Sequence, residues 1–140
     1  MSAQSFGKNE RLCSRKIMDR LFGEGKSFFE FPFRVVALQA GESEIFPKGY
    51  PCQVMISVSK RNFKKAVERN RIKRLVREAY RRQKSPLLDH LQKQNTNLAL
   101  ALIYTGKKMP GYQHLEPKII RIIDRLIQEI KSENNSLHYE

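Results

Sequence analysis

Apolar residues recur along this chain with two different periods, and the switches between them mark out its elements. Ser14 stands at a helix N-cap position ahead of Ile17, Met18, Leu21 and Phe22, and Gly23 and Gly25 stop that pattern. The stretch FFEFPFRVVAL at 28–38 changes to period two, with Phe31, Phe33, Val35 and Ala37 on one side of a predicted strand. Pro32 marks the strand's start or an edge position. Residues 39–51, with Gly41, Pro47, Gly49 and Pro51, read as a surface loop. CQVMISVS at 52–59 alternates Val54, Ile56 and Val58 with smaller or polar residues and is a second strand. In the polar segment that follows, Ile72, Leu75, Val76, Ala79 and Tyr80 fall within an arc of roughly 140°, the stripe of an amphipathic helix.

Pro86 ends that helix and leaves Leu87, Leu88 and Leu91 for a short helical turn. NLALALIY at 97–104 is apolar throughout, as a central strand covered on both faces would be. After a loop containing Gly106, Lys107, Lys108, Pro110 and Gly111, Pro117 suits the first turn of a last helix. That helix has a broad apolar face of Ile119, Ile120, Ile122, Ile123, Leu126, Ile127 and Ile130, and it frays from Ser132 onward. The order helix, strand, strand, helix, strand, helix predicts one α+β domain over residues 1–132, with 133–140 as a frayed tail.

Composition narrows the class. A chain of 140 residues, 40% hydrophobic and 29% charged, can bury a core without disulfides or metals. Cys13 and Cys52 stand alone, without a CxxC pair, and His90, His114 and His138 fall in no metal-binding spacing. No nucleophile signature such as GxSxG is present, so the sequence offers no protein-borne catalytic centre. The longest apolar run, 98–104, is far below the roughly 20 residues of a membrane span. The N-terminal residues lack a signal peptide's apolar core, and the expected location is the cytoplasm.

Charge changes the picture most. Residues 60–84 hold twelve Lys or Arg and only two acids, Glu68 and Glu78, in a chain whose net charge is +13. Asn70, Arg74, Arg77 and Arg81 cluster opposite the apolar stripe, with Lys73 and Lys84 beside them. A solvated helix face normally mixes signs and forms Glu-to-Lys pairs, and here Glu78 is the one acid able to pair within the helix body. One face is anchored and the other is offered to a polyanion. Basic amphipathic helices also dock on membranes or calmodulin, and these alternatives stay open at this point.

The residues in their order carry a resemblance. VMISVSKR at 54–61 followed by KKAVERNRIKRLVREAYR at 64–81 closely resembles the protein subunit of bacterial ribonuclease P, with Arg69-Asn70-Arg71, Lys73, Arg74 and Arg77 matching that family's arginine-rich signature. The likeness extends to RKIMDRLFGEGKS before it and to the apolar strand, basic loop and last helix after it. Many members have Gly-Asn where Lys64-Lys65 stands here. The resemblance implies a two-layer α+β sandwich, a small mixed sheet with packed helices and a left-handed βαβ crossover, where the general rule would give a right-handed one. It also implies an endoribonuclease whose catalyst is RNA. By that resemblance the protein would bind ribonuclease P RNA and the single-stranded 5′ leader of precursor tRNA, Mg²⁺ would act at the RNA, and no membrane or obligatory protein partner is expected. The alternative on the same fold is a noncatalytic RNA-binding protein of ribosome assembly or translation.

Site residues follow from the match. Arg69, Arg71, Lys73, Arg74 and Arg77 would neutralise phosphates, with Lys65 and Arg81 on the same segment and Lys60 and Arg61 adding contacts at the strand exit. Asn70 can bond phosphate, base or its own helix. The implied leader groove comprises Met18, Phe22, Phe33 and Val35, although Phe22 and Phe33 read on their own chemistry as core residues. Members often carry Phe where Met18 stands, and a thioether packs on a base without stacking like a ring. Lys107 and Lys108 form a secondary basic patch, solvated or bound.

Overall fold

Strand β4 (Asn97–Tyr104) is the spine of the sheet, because its side chains are apolar in both directions and both faces can be covered. The computed structural model describes residues 6–40 and 49–138. The sheet has the order β1 (Lys26–Glu30), β2 (Phe33–Ala40), β4, β3 (Cys52–Val58). β1 and β2 pair antiparallel, β2 and β4 pair antiparallel, and β3 runs parallel to β4. A parallel pair needs a crossover. Here it consists of α2 (Ala66–Gln83) and α3 (Ser85–Gln94), and the chain ends its regular structure in α4 (Tyr112–His138).

Alternation sorts the strands onto two faces. Phe33, Val35, Val54, Val58, Leu98, Leu100, Leu102 and Tyr104 join Ile72, Val76 and Tyr80 of α2, Leu87 and Leu91 of α3 and the apolar face of α4 in the main core. Val36, Ala99 and Ala101 point the other way, and α1 (Arg15–Glu24) lays Ile17 and Leu21 on them with Leu12 alongside. The small alanines of β4 let this single short helix approach the sheet, so α1 adds a partial layer to the expected sandwich.

Capping and turn chemistry fix α1. The Ser14 hydroxyl accepts from the Ile17 amide at 3.3 Å. At the other end, a Cβ on Gly25 would fall 2.4 Å from the Leu21 carbonyl oxygen, so only glycine allows the chain to turn directly into β1.

Several expectations change. The stretch read as one strand at 28–38 is a hairpin, and Phe31 and Pro32 form the turn between β1 and β2. Pro86 occupies the first turn of a ten-residue α3, where its missing N–H costs little, so it starts a helix as well as ending one. α4 begins at Tyr112, so Pro117 lies inside the helix, and the backbone stays helical beyond Ser132 to His138. Most of the loop read at 39–51, and the last two residues of the tail, lie outside the described residues.

Candidate nucleic-acid interface

Helix α2 buries Ile72, Val76, Ala79 and Tyr80, and that commitment turns Asn70, Arg71 and Arg74 outward, where all three are exposed. Arg71, Arg74, Arg77 and Arg81 line a surface groove of about 490 Å³ whose apolar floor includes Leu75 and Phe6. Phe6 is held edge-on against Tyr80 at 5.8 Å, and the Arg11 guanidinium lies 5.9 Å from its ring centre.

Arg77 is the most informative member. Its Nε is buried and has no hydrogen-bond partner in the structure, which is uncommon for a buried donor. Burial, and then the positive charges of Arg11 and Arg74, lower its pKa from the ordinary guanidinium value. Three guanidiniums therefore crowd one place, a disposition that an anion relieves. The one acid lining the groove, Glu78, is already engaged: Arg81 Nε donates to its carboxylate at 3.0 Å. That bond holds the Glu78 carboxyl below its ordinary range and raises the Arg81 guanidinium.

The other predicted phosphate contacts separate into groups. Lys60, Arg61 and Lys65 are exposed on the connection from β3 to α2, and Lys73 is half-buried. Arg69 is held to the fold: its Nη1 donates to the carbonyls of Phe63 and Lys64 at 2.8 and 2.9 Å, closing the turn into α2. Its first role is thus to shape the connection that presents Lys60, Arg61 and Lys65. Lys84 corrects the expected basic face, because its side chain is 2% accessible and pairs with Glu10 instead of meeting solvent.

The four residues expected to form a leader groove do not converge. Met18 and Phe22 lie on α1, whereas Phe33 and Val35 are fully buried on the opposite face of the sheet, beneath the other helices. The strand itself sets this: Phe33 and Val35 project from β2 on the side opposite Val36, the residue on which α1 packs. The sheet positions that share the α1 face are one residue along. Phe29, Arg34, Ile103 and Ser57 are successive register partners across β1, β2, β4 and β3, and Val36 places Arg34 on the side of α1. Phe29 is 56% and Phe22 50% exposed, so neither aromatic is consumed by the core. Met18, Met55 and Ile103 are each partly buried against the α1 cluster. A strip of aromatic, thioether and cationic groups therefore runs beside α1. Sequence reasoning missed Phe29, Arg34, Phe6 and Arg11. The charged residue between Phe33 and Val35 was the local signal for Arg34, and nothing local signalled Arg11.

Among the described residues, no three His, Cys, Asp or Glu gather in a way that could hold a metal ion, and no helix is long and apolar enough to cross a membrane.

Comparison with known proteins places this arrangement. The sequence profile of the family described as Ribonuclease P matches residues 6–126. The chain is 35% identical over 133 residues to a Ribonuclease P protein component of Porphyromonas gingivalis, covering 94% of each chain. It is 31% identical to one from Chlorobium phaeobacteroides, covering 90% of each. Its fold is similar to the RNase P protein of Staphylococcus aureus (TM-score 0.63, 23% identity, 85% of this chain and 96% of that one). It is also similar to that of Thermotoga maritima (TM-score 0.61, 24% identity, 83% and 96%).

Proposed function

The chain belongs to the Ribonuclease P family, and from that premise we propose how its surfaces divide the work of removing a 5′ leader from precursor tRNA. It is a protein component of an endoribonuclease holoenzyme whose partner is ribonuclease P RNA. The observation that carries the division is Arg77, with its orphaned buried Nε in a groove it shares with Arg74 and its guanidinium in the positive field of Arg11 and Arg74. Such a cluster is unfavourable alone and becomes favourable on a phosphate, which supplies acceptors and negative charge together. The outer face of α2 would therefore grip the phosphates of the catalytic RNA, with Lys60, Arg61 and Lys65 extending the grip around the helix N-terminus.

The leader is single-stranded, and single strands are held by cations beside aromatic platforms. The strip of Phe22, Phe29, Met18 and Arg34 beside α1 has those components and is separated from α2 by the sheet. The phosphodiester would be attacked at a site built by the RNA with Mg²⁺, in the cytoplasm, while this chain binds and positions. Reconstitution tests the reading. With ribonuclease P RNA at low Mg²⁺, adding this chain should raise cleavage of a precursor tRNA with a leader and tighten its binding. A chain that leaves both unchanged would sink the proposal.

A further inference from the structure

A second groove, of about 700 Å³, lies between the β1–β2 turn and the loop joining β4 to α4. Phe31 and Met109 supply apolar surface to it, and Phe31 is 63% exposed. Lys107, Lys108 and Lys118 supply charge, and none of its lining residues is an Asp or Glu. A large exposed ring is unremarkable on its own. Beside three cations and no acid, it has the composition of a single-strand site, where bases stack and phosphates meet lysines. A duplex hides its base faces and would leave Phe31 idle.

The groove is also built in advance. The Thr105 amide and hydroxyl both donate to the Pro32 carbonyl, at 2.8 and 2.9 Å, tying the loop to the hairpin turn. The Tyr104 hydroxyl donates to the Lys108 carbonyl at 2.8 Å, and the Asn62 amide donates to the Thr105 carbonyl at 3.1 Å. A Cβ on Gly106 would come within 2.5 Å of the Tyr104 hydroxyl oxygen, so the loop can close over that ring only as glycine. Walls fixed in this way need little ordering on binding.

Continuity names the occupant. The Phe29 ring, which heads the strip beside α1, lies 6.1 Å from the Phe31 ring across the turn. The two aromatics join the strip on one face of the sheet to the groove at its end. We propose that this groove is a second single-stranded RNA site that takes the part of the 5′ leader upstream of the strip beside α1. The proposal rests on the leader reading given above.

The test uses the reconstituted holoenzyme and two precursor tRNAs, with leaders of about 4 and about 16 nucleotides, a span matched to single-strand site sizes. Phe31→Ala and the double variant Lys107→Glu/Lys108→Glu replace exposed side chains, so thermal melts should match the unaltered chain, and either variant alone suffices for the test. Each should weaken binding of the long-leader substrate by about tenfold and leave the short-leader substrate unchanged. Unchanged binding of both substrates would overturn the proposal. Equal losses on both would overturn it in favour of contact with the catalytic RNA. An unaltered chain that improves binding of neither substrate would overturn the leader reading, and this site with it.

Discussion

The Lys84 ammonium lies 2.5 Å from a carboxylate oxygen of Glu10, with 2% and 8% of the two side chains accessible. The pair joins the C-terminal end of α2 to a short 3-10 turn at Lys8–Glu10, and the Tyr80 hydroxyl donates to Cys52 Sγ in the same buried region. Removing one member of a buried pair strands the other, whereas replacing both with apolar groups removes the desolvation cost. Glu10→Ala should therefore destabilise the chain by about 3 to 5 kcal/mol in urea unfolding. Glu10→Leu/Lys84→Met should recover most of that loss. Equal destabilisation by the single and double variants would contradict this account.

Arg74→Ala and Arg77→Ala should each weaken binding of ribonuclease P RNA by roughly 1 to 3 kcal/mol and lower the slope of log K against log salt by about one. Arg81→Ala should do less, because Glu78 already offsets its charge in the free protein. Salt titrations of the three variants decide the ranking. Arg81 ranking first would show that its pairing with Glu78 does not survive in the complex.

Arg69 separates shape from charge. Its Nη1 bonds to the carbonyls of Phe63 and Lys64 are charge-assisted and local to the turn, so Arg69→Ala should cost about 1 to 3 kcal/mol of folding stability. Lysine keeps the charge and loses the forked geometry. Arg69→Lys should restore the salt slope of RNA binding without restoring the melting temperature. Full recovery of both by lysine would make Arg69 a simple charge.

The cysteines report the core directly. Burial, the leading cause, pushes the Cys52 thiol up to about 12, while Cys13 is exposed. A folded pKa above the unfolded one means that the neutral thiol's contribution to stability is complete below the ordinary thiol range. It is lost as pH rises toward about 12. At pH 8, brief alkylation followed by mass measurement should give one adduct in the folded protein and two in denaturant. Two adducts formed at equal rates in the folded protein would show that the Cys52 region opens readily.

Pattern reading succeeded where one physical constraint dominated. The stripe from Ile72 to Tyr80 faces a single core and fixed the outward turn of Arg71 and Arg74, and the unbroken apolar run of β4 marked a strand covered on both faces. It failed where both faces of an element are apolar. Phe28, Phe29, Phe31 and Phe33 place apolar rings on both faces of this segment, with Phe29 and Phe31 exposed, so period two could not reveal the turn at Phe31 and Pro32. Lys84 lies at the boundary of the helix stripe, and the partner that draws it inward is 74 residues away. No local pattern carries that information, nor the approach of Arg11 to Arg77.

The two faces of the sheet yield the sharpest test of the leader strip. Phe33 and Phe22 were grouped by resemblance, but Phe33 is fully buried against Tyr104 in the main core, with ring centres 5.6 Å apart, while Phe22 is half exposed on α1. Phe33→Ala leaves a cavity among committed core groups and should cost about 3 to 5 kcal/mol of stability. Phe22→Ala should leave stability within about 1 kcal/mol, since an exposed ring contributes little burial. On leader-bearing precursor tRNA it should nevertheless weaken holoenzyme binding by roughly 1 to 3 kcal/mol, with mature tRNA unaffected, because only the leader supplies a base to stack. Phe29→Ala should behave like Phe22→Ala. If mature tRNA loses as much affinity as the precursor, the strip beside α1 contacts the tRNA body or the catalytic RNA, and the leader must run elsewhere.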